Sequence, residues 1–379
     1  MVRKRILSVL SSCDDEGVWQ QCEGVSSQLP ASAFDARICL LSGSADEENL
    51  LRQNGGRVFL ARQNRKTDGW CVWPLLRQMR KFKPDVVHLW GTNAYRYGLP
   101  IARLCGIETI FFSIFDAKPV ASLWGFGLDR TLSRSLTKVI VPDLSMGQMA
   151  GFGSWLTRDQ WAIVPPAIEK ASEAPLTRTA LLKQLRLPDH CRLIATTDSF
   201  QFGSRVRDAI WATELLKVAG HKVHVLICGN GPQRLRIENF CRRLHLEDQI
   251  HFVTDHRLIA ASLHHIDLFW NVSEVSGIVP MLYAMRRGIP VIAANTPVLR
   301  TYIQDQETGF MVPLGDRAAL ASKTHDLLNH FDRAEQVGGA AQAVIGTDFD
   351  PQATLEKYIG LYRAHFDRHS PSCTNTPDP

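Results

Sequence analysis

Residues 273 to 296 read SEVSGIVPMLYAMRRGIPVIAANT, and the residue types in that order suit the binding of an anion. A helix is predicted to begin near Ile278 or Pro280 and to end with Arg286 and Arg287, whose cations sit well beside the free carbonyls of a helix C-terminus. Gly288 then supplies a left-handed stop, and Pro290 opens the next strand. At the start of the helix the free amides of Gly277, Ile278 and Val279, just before Pro280, point outward, an arrangement that can hold a diphosphate. A plain, well-capped helix is the other reading. Gly229, Gly231 and Pro232 mark a second strand-to-helix turn, read either as a close backbone approach to a ligand or as an ordinary turn. The D-x-D of Asp348 and Asp350 stands just before a predicted helix and reads as its cap.

The elements that must position these residues follow from patterning. Short β-branched runs (RILSVL, ARICLL, DVVHLW, TIFFSI, KVIVP, then RLIATT, HVLICG, IHFVT, IDLFWN, PVIAAN) alternate with segments of helical apolar spacing, such as 69 to 82, 205 to 219 and 316 to 329. That alternation predicts an α/β protein with parallel sheets covered by helices. The chain of 379 residues is long enough for about two domains. Pro165, Pro166 and Pro175 mark a hinge, and a fresh strand and helix series starts near Leu181. The expected division is a first domain over 1–168, a second over 169–346, a C-terminal helix over 347–368 packing back across the hinge, and a disordered tail over 369–379. Two doubly wound sheets joined in this way put ligands in the cleft between the carboxyl ends of their strands.

Composition narrows the class further. Hydrophobic residues at 45% and charged residues at 21% are those of an ordinary globular protein, with no apolar run long enough to cross a bilayer. The start, MVRKRILSVLSS, reads as a buried strand rather than a secretory signal. Nine scattered cysteines without a CxxC pair indicate neither a disulfide framework nor a zinc site, so a reducing cytoplasm is the expected compartment. A net charge of +5 gives no case for nucleic acid. Arg77, Arg80, Lys81 and Lys83 gather at one predicted helix end. A solvated face is the first reading of that group; a weak peripheral contact with anionic lipid at the inner membrane face is the second.

Several stretches in order resemble the retaining glycosyltransferases of the GT-B fold, in the large group called glycosyl transferases group 1 (family 4-like). KPDVVHLWGTNAYRYGLPIARLCGI looks like that family's PDVVHxH strand and following helix, and AIVPPAI resembles its VIPNGVD hinge. VLICGNGPQRLRIENFCRRLHLEDQIHFVTDHRLIAASLHHIDLFWNVSE and AMRRGIPVIAANTPVLRTYIQDQETGFMVPLGDRAALASKTHDLL follow its donor-side blocks. The resemblance implies two Rossmann-like domains facing each other across a cleft and a hexosyltransferase-type enzyme. Its donor would be a nucleotide sugar of UDP or GDP type, with no other cofactor and no metal, and its acceptor a glycan, a lipid-linked sugar or a small molecule.

The resemblance also shows what this chain has changed. Where the family clamps the diphosphate with an arginine and a lysine, Ser199 and Ser204 stand here, with Arg205 and Arg207 just beyond as candidate replacements or as a solvated first turn. Ser276 replaces the first of two donor-binding acids and Tyr283 the second, while Glu274, two residues earlier, would face the same side as Ser276 in an extended segment. Thr254, ending IHFVT, and Gly229 complete the donor-side candidates. In the first domain the glycine-rich loop keeps only Gly17, beside Asp14, Asp15 and Glu16. Phe115 occupies the acceptor-side histidine position, leaving Asp116 and His88 as candidate catalytic groups; a loop acid and a packed strand-end histidine are the plainer readings. A catalytically inactive homologue that keeps the clamp as a binding or scaffold surface is the alternative function.

Overall fold

A computed structural model describes residues 3–11, 16–43, 57–61, 71–115, 126–149, 151–152, 155–169, 176–200, 204–254, 262–273 and 277–366. The first sheet holds β1 (Lys4–Leu10), β2 (Phe34–Leu40), β3 (Val58–Leu60), β4 (Val86–Trp90), β5 (Thr109–Ser113), β6 (Lys138–Val141) and β7 (Trp161–Ile163). The second holds β8 (Arg192–Thr197), β9 (Val223–Cys228), β10 (Ile250–Val253), β11 (Leu268–Asn271), β12 (Val291–Ala294) and β13 (Phe310–Val312). Every residue of β4, β5 and β11 is buried, which is why these strands read as continuous apolar runs: helices cover both faces.

Strand order is β3-β2-β1-β4-β5-β6-β7 in one sheet and β10-β9-β8-β11-β12-β13 in the other, and all pairs are parallel. The winding direction therefore reverses between β1 and β4 in the first sheet and between β8 and β11 in the second. Open α/β sheets bind ligands outside the strand ends at such reversals.

Among the described residues the helices that matter for the cleft are α1 (Glu16–Gln28), α2 (Val72–Phe82) and α3 (Thr92–Leu104), followed by α4 (Phe126–Arg134) and α5 (Leu144–Met149). After the hinge come α6 (Arg178–Leu185), α7 (Val206–Val218), α8 (Arg234–Arg243), α9 (Ile278–Arg286), α10 (Arg317–Asn329), α11 (Phe331–Asp348) and α12 (Pro351–Phe366). The expected helices over 69–82, 205–219 and 316–329 correspond to α2, α7 and α10; the tail from 367 lies outside the described residues. Helix α9 starts at Ile278 and stops where the local signals put it, with Arg287 as cap and Gly288 at φ 73°. Asp350 caps α12, its carboxylate accepting the Ala353 amide at 2.9 Å.

Two apolar clusters hold these layers. One lies between the second sheet and α7, α8 and α10, around Trp270, Ile210 and Phe310. The other fills the first domain and runs on through Met281, Met285 and Ile345 to Tyr358 and Tyr362 of α12. Helix α11 crosses the end of α9 closely because residue 338 is glycine: a Cβ there would collide with the Gly288 carbonyl. Tyr302, beyond β12, donates its hydroxyl to Asp143 beyond β6 at 2.7 Å, tying the two lobes together.

Candidate functional site at the facing strand ends

The reversal between β8 and β11 carries the start of α9. Gly277 adopts φ 77°, where a side chain is strained, and a Cβ there would lie 3.0 Å from the Thr197 hydroxyl and 3.4 Å from Asn271 Oδ1. The first hydrogen bond inside the helix runs from the Met281 amide to the Gly277 carbonyl at 3.0 Å, so the amides of Ile278 and Val279 have no acceptor within it. Beneath them the Thr197 hydroxyl is buried and makes no hydrogen bond among the described residues. Unused amides, a helix dipole and an unpaired hydroxyl converge at one reversal, the physical make-up of an anion site.

The first lobe closes on this point. Gly17, in the first turn of α1, packs so tightly that a Cβ would sit 3.0 Å from Val279 Cβ and 3.4 Å from the Pro280 ring. Glycine here lets the starts of α1 and α9 meet. Asp14 and Asp15 lie outside the described residues.

Other expected donor groups are placed elsewhere. Arg205 pairs with Asp208 at 3.3 Å, and its Nη1 lies 2.8 Å from where a Gly315 Cβ would be. Arg317 holds the other oxygen of Asp208 at 2.8 Å, so one carboxylate fixes both guanidinium groups. Arg207 lies over the Phe240 ring of α8, 5.1 Å from its centre. Both arginines thus serve the side of the sheet covered by α7, α8 and α10, whereas α9 covers the other. Ser204 accepts the Val206 amide at 3.4 Å at the start of α7, and Ser199 is half-buried.

Tyr283 departs from the expected donor role as well. Its ring lines a crevice with Gln20, Gly24, Ala167 and Glu169, and the Arg287 guanidinium lies over it at 5.5 Å. Packing of α1 along α9 turns it to the hinge. Gly229 and Gly231 have a packing reason: Cβ atoms there would collide with the carbonyls of Asp198 and Ser199, which cross this turn. Thr254 is exposed just after β10. Glu274, Ser276 and Asp116 lie outside the described residues.

His88 belongs to the core rather than the cleft edge. It is fully buried, with Nδ1 bonded to Tyr362 Oη at 2.7 Å and Nε2 to Ser113 Oγ at 2.8 Å, and it stacks on Trp90 at 4.2 Å. Burial pushes its pKa down to about 3, so it is a neutral ring with both nitrogens in use, unsuited to moving a substrate proton. Phe115 stacks on Trp90 with their planes 1° apart. Thr197 was missed by motif reasoning, although a polar pair ending the buried run RLIATT was a signal.

Comparison with known proteins fits this geometry. Residues 178–344 match the family model described as Glycosyl transferases group 1. The second lobe thus resembles that family, and the match covers less than half of the chain. N-acetyl-alpha-D-glucosaminyl L-malate synthase of Bacillus anthracis is 25% identical over 186 residues, 48% of this chain and 48% of that protein, so the match spans about half the relative's length. The GDP-mannose-dependent alpha-mannosyltransferase of Mycobacterium tuberculosis is 22% identical over 309 residues, 78% of this chain and 77% of that one. Among solved structures, Anabaena HepE in complex with UDP and glucose superposes with a TM-score of 0.75 at 14% identity, covering 96% of this chain and 100% of that one. The two-lobed architecture is the GT-B fold.

Proposed function

We propose that this protein is a glycosyltransferase of the hexosyl type, moving a sugar from a nucleotide-sugar donor to an acceptor hydroxyl with retention and without a metal. The observation that carries the reading is the start of α9: free amides over an unpaired Thr197 hydroxyl, at a strand reversal capped by Gly17. In this reading the bond from the anomeric carbon to the diphosphate breaks as the acceptor oxygen attacks from the same face. Amides and dipole stabilise the departing anion, whose oxygen takes the acceptor proton. The acceptor is a glycan, a lipid-linked sugar or a small molecule, and the base is that of UDP or GDP.

A second reading, an inactive homologue that binds or scaffolds, is favoured by one specific observation: both candidate replacement cations are already engaged, Arg205 with Asp208 and Arg207 over Phe240. Calorimetric titration with UDP and with GDP, in EDTA, separates the two. Saturable binding of one nucleotide is expected, tightened about a hundredfold or more by Ser199→Arg combined with Ser204→Lys, since each restored ionic hydrogen bond contributes about 1.5 to 3 kcal/mol. Absence of heat with both nucleotides in both proteins would leave only the scaffold.

The same reading places the protein in the cytoplasm, in peripheral contact with the inner membrane face through α2. Trp73 is 71% exposed and Leu104 70%, and Arg77, Arg80, Lys81 and Lys83 share the exposed side of α2 and its end. Among the described residues no helix is long and apolar enough to cross a membrane. Each surface cation contributes about 1 kcal/mol near anionic lipid, so sedimentation with phosphatidylserine-rich vesicles is expected, reversed by salt and lost in Arg77→Glu/Lys81→Glu. Equal sedimentation with purely zwitterionic vesicles would refute it.

A further inference from the structure

We infer that Gln21 is a positioning residue, linking the hinge between the lobes to the crevice at the start of α9 through the body of α1. The inference rests on the proposed function only for what occupies that crevice. Gln21 is 1% exposed, and its amide makes two hydrogen bonds to one residue of the hinge. Nε2 donates to the Ala167 carbonyl at 2.7 Å, and Oε1 accepts the Ala167 amide at 2.7 Å. A side chain thus gives this stretch the reciprocal pairing that a neighbouring strand would otherwise supply.

The rest of the hinge is fixed around that pair. The Ile168 amide donates to the Phe349 carbonyl at 3.1 Å, and the Thr354 hydroxyl donates to the Pro165 carbonyl at 3.2 Å. Both chain crossings between the lobes, residues 165–168 and 349–354, are therefore bonded to each other, and Gln21 bonds them to α1. One helical turn before Gln21, about 6 Å along the axis, Gly17 rests on Val279 and Pro280. Any lobe rotation that turns the Ala167 peptide moves Gln21, and with it the glycine that closes the crevice. Gln20 and Gly24 line the same seam against Tyr283, so α1 slides or tilts as one body.

Hydrogen exchange followed by mass spectrometry on the full chain tests the link. Gln21→Met keeps length and volume but cannot pair with the hinge. It is expected to speed exchange in the peptides spanning residues 17–23 and 164–169 together, by about tenfold or more, while those of β11 and β12 stay unchanged, as expected of local opening. Ala167→Pro deletes the donated N–H from the hinge side and should give the same paired acceleration in α1, which keeps the test open if one variant folds poorly. UDP is expected to slow both peptides in the wild type but only the α1 peptide in Gln21→Met, with affinity about tenfold weaker. Acceleration at the hinge with α1 unchanged would overturn the link and make the pair a local clamp. Failure of the wild type to bind UDP is a separate result: it removes the donor reading, while exchange in the free protein still decides whether hinge and α1 move together.

Discussion

Gly277→Asp is expected to weaken nucleotide binding at least about a hundredfold, and Gly277→Ala only about tenfold, although aspartate is the better tolerated of the two in this backbone conformation. At φ 77° a Cβ costs roughly 1 to 2 kcal/mol, and its 3.0 Å approach to the Thr197 hydroxyl adds to that. Strain alone thus makes alanine the worse substitution, because an Asp or Asn side chain settles more readily into the left-handed region. Charge reverses the order. A carboxylate about 5 Å from a diphosphate meets a repulsion of about 3 kcal/mol per charge at an effective dielectric near 20. The ranking of the two variants, read by calorimetry with UDP or GDP, therefore reports what lies over residue 277, and their thermal midpoints report the strain. Aspartate binding as well as alanine would mean that no anion sits there.

The features legible in the sequence are those set by neighbours along the chain. The start of α9 at Ile278, its stop at Gly288 and the cap at Asp350 each follow from a few consecutive residues, and each stands where those residues put it. The alternation of strands and helices is local in the same sense, and it specifies two doubly wound sheets. Side-chain direction is not local. Arg205 turns to Gly315 because Asp208, itself bound by Arg317, holds it there, and Tyr283 faces the hinge because α1 lies along α9. The hydroxyl that completes the core around His88 comes from Tyr362, 274 residues away. Motif alignment leaves Arg205 and Tyr283 as candidates only, because partners distant in sequence decide where they point.

Acidification is expected to destabilise the protein through His88, and His88→Phe should cancel that part of the response. The ring has an ordinary pKa of 6.5 when unfolded and about 3 in the folded protein, because burial disfavours its cation. The groups that face it are the hydroxyls of Tyr362 and Ser113 and the rings of Trp90, Phe111 and Tyr358, so none of these offers a negative charge to offset protonation. Below pH 6.5 the unfolded chain takes up a proton that the folded chain refuses, so stability is full above that value and falls as pH drops toward 3. At 1.36 kcal/mol per unit the loss reaches about 2 kcal/mol by about pH 5. His251, lowered to about 4 by burial and then by His224, adds a slope of the same sign in the second lobe. His88→Phe fills the space but leaves two buried hydroxyls without their partner, so it should be less stable at neutral pH by about 2 to 4 kcal/mol. Its deficit against the wild type should then shrink by about 2 kcal/mol as pH falls to about 5, measured by denaturant titration at each pH. A constant deficit would place the protonation elsewhere. Nucleotide affinity unchanged in the same variant would separate a residue that holds α12 to the first sheet from one that acts on substrate.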